Sequence, residues 1–274
     1  MDPRASLKRV TPPIVLDGVR EYRRRRSKAL PDWTFLGHDW PEETGPGWNA
    51  VGVVDAYRRK LPTFRDAIAA PAPIGVTTEA LSAPTADAYH QNVILEHAYA
   101  VARASAGRDR ISVLDWGGGF GFLSFVIAEL FPELEVDFHV CEVPLVVDAA
   151  RPLVPMVTFW DDDACLDRSY DLVVAASSLQ YERDWRARLG QFAGRSRWVL
   201  LSRLPTTPGP RSFVVGQRAY GTSYVGWVIA RGELLAVAKG AIRLEREMLE
   251  GWSAEIPGAP EINEHRGFLL RSVT

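Results

Sequence analysis

From about residue 87 onward the chain alternates two apolar rhythms. Short runs in which apolar residues are consecutive or alternate fall at 111–115, 135–141, 156–160, 171–176, 197–202, about 242–249 and 267–272, the signature of buried strands. Between them, apolar positions recur every three to four residues at 121–131, 144–151, 183–193 and 231–239, the helical period. Asp87 to Arg103 carries the stripe Ile94, His97, Ala98 and Val101, and Pro84-Thr85 before it is a helix start signal. Strands and helices in alternation predict a mostly parallel sheet covered on both faces.

The first 85 residues follow no such rhythm. Prolines and tryptophans punctuate them at Pro12-Pro13, Pro31, Trp33, Trp40-Pro41, Pro46, Trp48 and Pro71, leaving room for short helices near 15–29 and 51–69. Residues 1–85 therefore read as an N-terminal, mostly helical cap on the substrate side, and 86–274 as the main α/β domain. Between Leu204 and Ile229 lies a long connection with Pro205, Pro208 and Pro210, then Gln217, Arg218, Tyr220, Tyr224 and Trp227. Long connections in compact domains are functional or disordered, and aromatic content argues against disorder. The expectation is a substrate-facing lid over about 204–229.

The first strand, Ile111 to Asp115, runs through Trp116 into Gly117, Gly118, Gly119, Phe120 and Gly121, and a helical pattern follows at once. A strand, a glycine turn and a helix N-terminus form a nucleotide-sized binding edge. A dinucleotide fingerprint needs a third small residue, yet from Gly117 that position is Phe122 and from Gly119 it is Ser124. Asp115, two residues before the first glycine, would repel a pyrophosphate. S-adenosylmethionine (SAM) has an ammonium and a sulfonium instead, which a carboxylate attracts. The second strand ends at Glu142, about 20 residues beyond the turn, where an acid accepts hydrogen bonds from ribose hydroxyls.

Val113-Leu114-Asp115-x-Gly117-Gly118-Gly119-x-Gly121, Glu142 and the segment Tyr170 to Tyr181 resemble a class I SAM-dependent methyltransferase. Ser177 to Tyr181, Ser202 to Pro205 and the Gln217, Tyr220, Tyr224, Trp227 segment further resemble an uncharacterised bacterial methyltransferase family linked to polysaccharide or secondary-metabolite pathways. The resemblance implies a Rossmann-like seven-stranded sheet whose last strand is antiparallel, with SAM as cofactor. It implies cofactor contacts at Asp115, Gly117, Gly119, Gly121, Glu142 and Ser177, with Asp161 or Asp162 at the adenine. The acceptor side begins after the fourth strand, making Tyr181 a substrate contact and Glu182 a candidate base. His90, in the first turn of the helix before strand one, is another candidate base because histidine titrates in the useful range. Tyr89 and Asn92 are alternatives for touching the methionine carboxylate. Arg203 is placed either to hold an anionic acceptor or to make a structural ion pair, and Gln217, Tyr220 and Tyr224 line the substrate side.

Composition narrows the partners. A formal net charge of −2 gives no electrostatic reason to expect nucleic acid. Neither an Asn/Asp-Pro-Pro-aromatic signature nor a Pro-Cys pair occurs. The run Arg23–Arg26, with Arg20 and Lys28, reads as a solvated helix face. Cys141 and Cys165 lack zinc spacing, and no metal is expected despite Asp161-Asp162-Asp163. No apolar run reaches the roughly 18–20 residues of a membrane span, and the N-terminus has no signal-peptide core. The expectation is a cytoplasmic enzyme that methylates a hydroxyl of a sugar, glycan precursor or natural product, with a homodimer left open. The rivals are an NAD(P)-dependent oxidoreductase and a non-catalytic scaffold.

Overall fold

The computed structural model of the chain describes residues 33–75, 87–237 and 242–273. The helix expected near 15–29, the basic run and the Pro84-Thr85 start signal lie outside the described residues. Trp33–Thr274 forms one unit, so the strand and helix between 33 and 69 belong to the same body as the sheet.

In chain order the strands are β1 (Trp33–Gly37), β2 (Arg110–Trp116), β3 (Glu135–Cys141), β4 (Thr158–Trp160), β5 (Tyr170–Ala176), β6 (Ser196–Thr207), β7 (Phe213–Ala219), β8 (Thr222–Ala230), β9 (Ile242–Leu249) and β10 (Glu264–Ser272). The helices are α1 (Val51–Ala69), α2 (Ala88–Ser105), α3 (Phe122–Leu130), α4 (Pro144–Ala150), α5 (Trp185–Arg195) and α6 (Arg231–Val237). Strands β4, β3, β2, β5 and β6 lie side by side and parallel. The last strand, β10, runs antiparallel to both β6 and β9, as the resemblance implies. The molecule is a Rossmann-like α/β fold.

Pleating sends successive residues to opposite faces, and both faces are dry. Val113, Leu172, Val174 and Leu200 pack with residues of α1, α2, α3 and α4. Leu114, Val173, Ala175 and Leu201 pack with Trp185, Leu189, Phe192 and Leu234 of α5 and α6. Helix α2 starts where Asp87 caps it, accepting from the His90 backbone N–H at 2.9 Å. No helix among the described residues is long and apolar enough to cross a membrane.

The segment from Leu204 to Ile229 is not the long irregular connection expected from its prolines. Strand β6 continues to Thr207, and β7 and β8 form an antiparallel hairpin extended by β1. The true connection is the short stretch 208–212. Pro205 sits inside β6 opposite His265, so proline there marks a strand position rather than a break. The hairpin turns on Tyr220 and Gly221, both left-handed at φ 55° and 73°, the conformation of a two-residue hairpin turn. Tyrosine is an unusual residue for it, which hides the turn in the sequence.

Candidate functional site

The parallel strands deliver their carboxyl ends to one edge, and the glycine turn lies at its centre. Gly117, Gly119 and Gly121 adopt φ of 72°, 58° and 73°, where a side chain is strained. The Gly117 N–H donates to the Cys141 carbonyl at 2.8 Å and the Gly121 N–H to the Gly118 carbonyl at 3.0 Å. The turn is also too crowded for side chains. A Cβ at Gly117 would lie 2.5 Å from the Ser178 Cβ, one at Gly118 2.5 Å from the Asp115 Cγ, and one at Gly119 3.1 Å from the Tyr57 ring.

Asp115 is thus held directly beneath the turn and is only 4% exposed. Burial, and then the charge of Glu142, push its carboxyl up to about 7. Glu142 accepts from the Gly119 N–H at 3.1 Å and from the Val143 N–H at 2.8 Å. Burial raises its carboxyl while these two amides pull it back. Two carboxyl groups therefore share the turn, one clamped by backbone and one crowded out of ionisation. At the end of β4, Asp161 and Asp162 are exposed. Asp162 caps the following 3-10 turn by accepting from the Ala164 N–H at 3.0 Å.

On the other side of the turn, Ser177 takes φ 56°. Its N–H donates to the Ser202 carbonyl at 2.8 Å, and its hydroxyl accepts from Gln180 Nε2 at 3.0 Å. Tyr181 donates to Gln217 Oε1 at 2.6 Å. Tyr181 and Tyr224 both pack on Trp48, with Trp48 and Tyr224 stacked at 4.3 Å and Tyr220 on the same indole at 5.9 Å. Tyr181, Gln217, Tyr220 and Tyr224 are therefore brought together. Trp48 and Tyr57, which no motif in the sequence marks, complete the cluster. Tyr57 lies on the buried face of α1, three residues past Val54, and contacts the rings of Phe120 and Phe122. Its phenol is pushed well above the usual range by burial and then by Glu142, while Arg203 opposes. Tyr57 thus lies against the turn, with Tyr220 of the hairpin on its other side at 6.5 Å.

Glu182 and His90 are placed differently. Glu182 accepts from Trp116 Nε1 at 3.0 Å and pairs with Arg188 Nε at 3.4 Å, so its carboxylate ties α5 to β2. His90 Nδ1 sits 2.9 Å from both oxygens of Asp87, a contact within the first turn of α2.

Arg203 occupies a bulge. Gly267 alone lies opposite Ser202 and Arg203, since Arg266 pairs with Leu204 and Phe268 with Leu201. Arg203 takes φ 53° there, a conformation that costs a non-glycine residue about 1–2 kcal/mol. Its freed N–H donates to Glu250 Oε1 at 2.6 Å. Glu250 is 1% and Glu96 5% exposed, and Glu96 lies over Gly267, where a Cβ would overlap its carboxyl group. Next to them His265, 7% exposed, faces the Tyr89 hydroxyl through Nδ1 at 3.0 Å. The cluster Glu96, Glu250, His265 and Tyr89 carries no strong sequence signal, because its members come from three distant segments. Among the described residues no group of three or more His, Cys, Asp or Glu is arranged to hold a metal ion.

No family model matches the chain, and no curated protein matches it. Among solved structures, the chain is similar to the N-terminal domain of EvdMO1, crystallised with S-adenosylhomocysteine (SAH) and D-fucose. The identity is 17%, the coverage 78% of this chain and 97% of that one, and the TM-score 0.47. It is also similar to CalS10, an amino pentose methyltransferase from Micromonospora echinaspora, at 18% identity, 66% and 92% coverage and a TM-score of 0.43. The mitomycin 7-O-methyltransferase MmcR matches at 17% identity, 82% and 69% coverage and a TM-score of 0.41. Likenesses this distant assign no activity.

Proposed function

We propose that the chain is a SAM-dependent methyltransferase that transfers a methyl group to a hydroxyl of a small molecule, namely a sugar, glycan precursor or natural product. The observation that carries this reading is the buried Asp115 beneath the left-handed glycine turn, with Glu142 beside it. A diphosphate at this turn would meet two carboxyl groups, whereas a cationic amino-acid tail would draw Asp115 back to its ionised form. Phe122 speaks against a dinucleotide as well. It fills the position that needs a small residue and packs on Phe64 at 5.1 Å.

The residues present fit this cofactor. The turn from Gly117 to Gly121 offers close backbone approach, Asp115 a partner for an ammonium group, Glu142 an acceptor for ribose hydroxyls, and Asp161 or Asp162 an acceptor for an adenine amino group. When bound, the cofactor supplies an electrophilic methyl group on a sulfonium. The chain itself has to orient the acceptor and exclude water, and alignment alone is worth on the order of 7–11 kcal/mol in favourable cases. Trp48, Tyr57, Tyr181, Tyr220 and Tyr224 form an aromatic cluster, with Gln217 bonded to Tyr181, that would exclude water, with the β7–β8 hairpin as its lid. Glu182 and His90 are bound to structural partners, which favours alignment over a base at either position.

The reading is tested by incubating the protein with methyl-labelled SAM and a panel of neutral sugars and phenols. Label in a hydroxyl product, with one SAH released per methyl transferred, supports it. Absence of SAH release together with thermal stabilisation by NAD(P)H instead of SAM would overturn it.

A further inference from the structure

Helix α4 follows closely on Glu142, and its own sequence leaves its first turn incomplete. The N-cap is Val143, which has no side-chain oxygen, and the first helical residue is Pro144, which has no N–H. The Leu145 N–H, at the second helical position, is where an N-cap side chain ordinarily accepts. Asn49, 96 residues earlier in the chain, takes that role: its Oδ1 accepts from the Leu145 N–H at 3.0 Å.

The residues around Asn49 hold it there. Trp48 stacks on Tyr224 at 4.3 Å and meets Tyr181 edge-on at 5.2 Å. The Gly47 N–H donates to the Ser223 carbonyl at 3.1 Å, and the Gly47 carbonyl accepts from the Thr222 hydroxyl at 3.0 Å. Beyond Asn49, α1 carries the Tyr57 ring onto Gly119. Residues 47–57 thus form a strap from the hairpin tip that touches the chain on both sides of Glu142. One contact is at Gly119, whose N–H that carboxylate accepts, and the other is at Leu145. The seam is open to solvent, with Val51 66% and Leu145 40% exposed.

The consequence falls on Glu142. Its two oxygens accept from the Gly119 and Val143 N–H groups, so Val143 is both a partner of this carboxylate and the N-cap of α4. Without an acceptor for the Leu145 N–H, the first turn of α4 frays and takes Val143 with it. The carboxylate then keeps its charge and loses its fixed orientation.

We propose that Asn49 is a positioning residue for the adenosyl half of the cofactor: it caps α4 from the strap, fixes the Glu142–Leu145 loop against the glycine turn, and is itself held by Trp48. The assignment rests on the methyltransferase reading. It joins the aromatic cluster on the acceptor side to the ribose side through two adjacent residues.

The test titrates the full chain with SAH and with 5′-methylthioadenosine, which keeps the adenosyl half and lacks the amino-acid tail. Calorimetry should show Asn49→Ala weakening both ligands by the same factor, about fivefold. Asn49→Asp retains an oxygen for the Leu145 N–H and should bind both within about twofold of wild type. Trp48→Ala should reproduce the Asn49→Ala loss, and the two substitutions together should cost no more than either alone. If Trp48→Ala does not fold, hydrogen exchange at the Leu145 amide replaces it, expected to be about fivefold faster in Asn49→Ala and at the wild-type rate in Asn49→Asp. A loss confined to SAH, a loss that Asn49→Asp shares, or unchanged affinity for both ligands in Asn49→Ala would overturn the proposal while leaving the cofactor reading in place. A wild-type chain that binds neither ligand would overturn that reading and the proposal with it.

Discussion

Replacing Asp115 with asparagine should make the ligand-free protein more stable at neutral pH and less able to hold its cofactor. The carboxyl is 4% exposed and is pushed from its ordinary 3.8 to about 7. Because the folded value lies above the unfolded one, the group favours folding fully below about pH 4, and that contribution is lost as pH rises toward 7. The difference between 3.8 and about 7 corresponds to about 4 kcal/mol. Asparagine keeps the shape and carries no ionisation cost, but it must satisfy an amide in the same place. A net gain of about 2–4 kcal/mol near pH 8 is expected, shrinking toward zero near pH 4. Urea unfolding of both proteins at several pH values measures it. Calorimetry should show SAH binding weakened by about tenfold or more, since a charge-assisted contact is worth about 1.5–3 kcal/mol. A variant that is less stable than wild type near pH 8, or whose advantage does not grow with pH, would refute the burial argument.

Three further substitutions act at the turn, the hairpin and the β9–β10 edge. Gly118→Ala puts no residue in a left-handed conformation, as Gly118 is not among the left-handed glycines, so its effect is confined to crowding. Its Cβ would meet Asp115 at 2.5 Å, so calorimetry should show SAH affinity falling about tenfold or more; retention of wild-type affinity would clear Asp115 of a role. Gly52→Ala would overlap the Tyr220 carbonyl oxygen and should undock the segment before α1 from the hairpin. The expected readouts are faster proteolysis near residue 48 and a red-shifted tryptophan emission, and an unchanged protease pattern would argue against the docking. Glu247→Gln weakens the links to Arg266 at 2.6 Å and Arg231 at 2.8 Å that join β9, β10 and α6. The Arg231 guanidinium beside it, chiefly, holds the Glu247 carboxyl below its usual range, so its contribution is present at neutral pH and lost in acid. With Arg231 42% exposed, a cost of about 1 kcal/mol at pH 7 is expected from urea unfolding, vanishing toward pH 3.

The central sheet was legible because β2, β5 and β6 at its middle are buried on both faces. Glu135 to Cys141 and Ile242 to Leu249 occupy the positions their apolar runs mark, and helix α1 fills 51–69 despite Pro62. Asp115, Glu142 and the glycines were legible for a related reason: they are adjacent in sequence to the strands that position them. The hairpin was not. Gly216 and Gly226 interrupt its strands, its turn uses tyrosine, and β1 lies far away behind a run of prolines and tryptophans. The His265 cluster escaped because its parts come from α2, β6, the end of β9 and the start of β10, and only the antiparallel return of β10 joins them. Periodicity reports burial along one element. It says nothing about which distant polar groups share a pocket.

If the chain is the proposed methyltransferase, the acid beneath the glycine turn selects a cationic adenosyl ligand over a dinucleotide. Calorimetric titration of the wild-type chain with SAH and with NADH, repeated across pH 5.5 to 8.5, tests it most directly. One SAH site per chain is expected, with an affinity that rises with pH through about 7 as Asp115 ionises, and no measurable heat with NADH. NADH binding at the same site, or SAH affinity that is flat with pH, would contradict it.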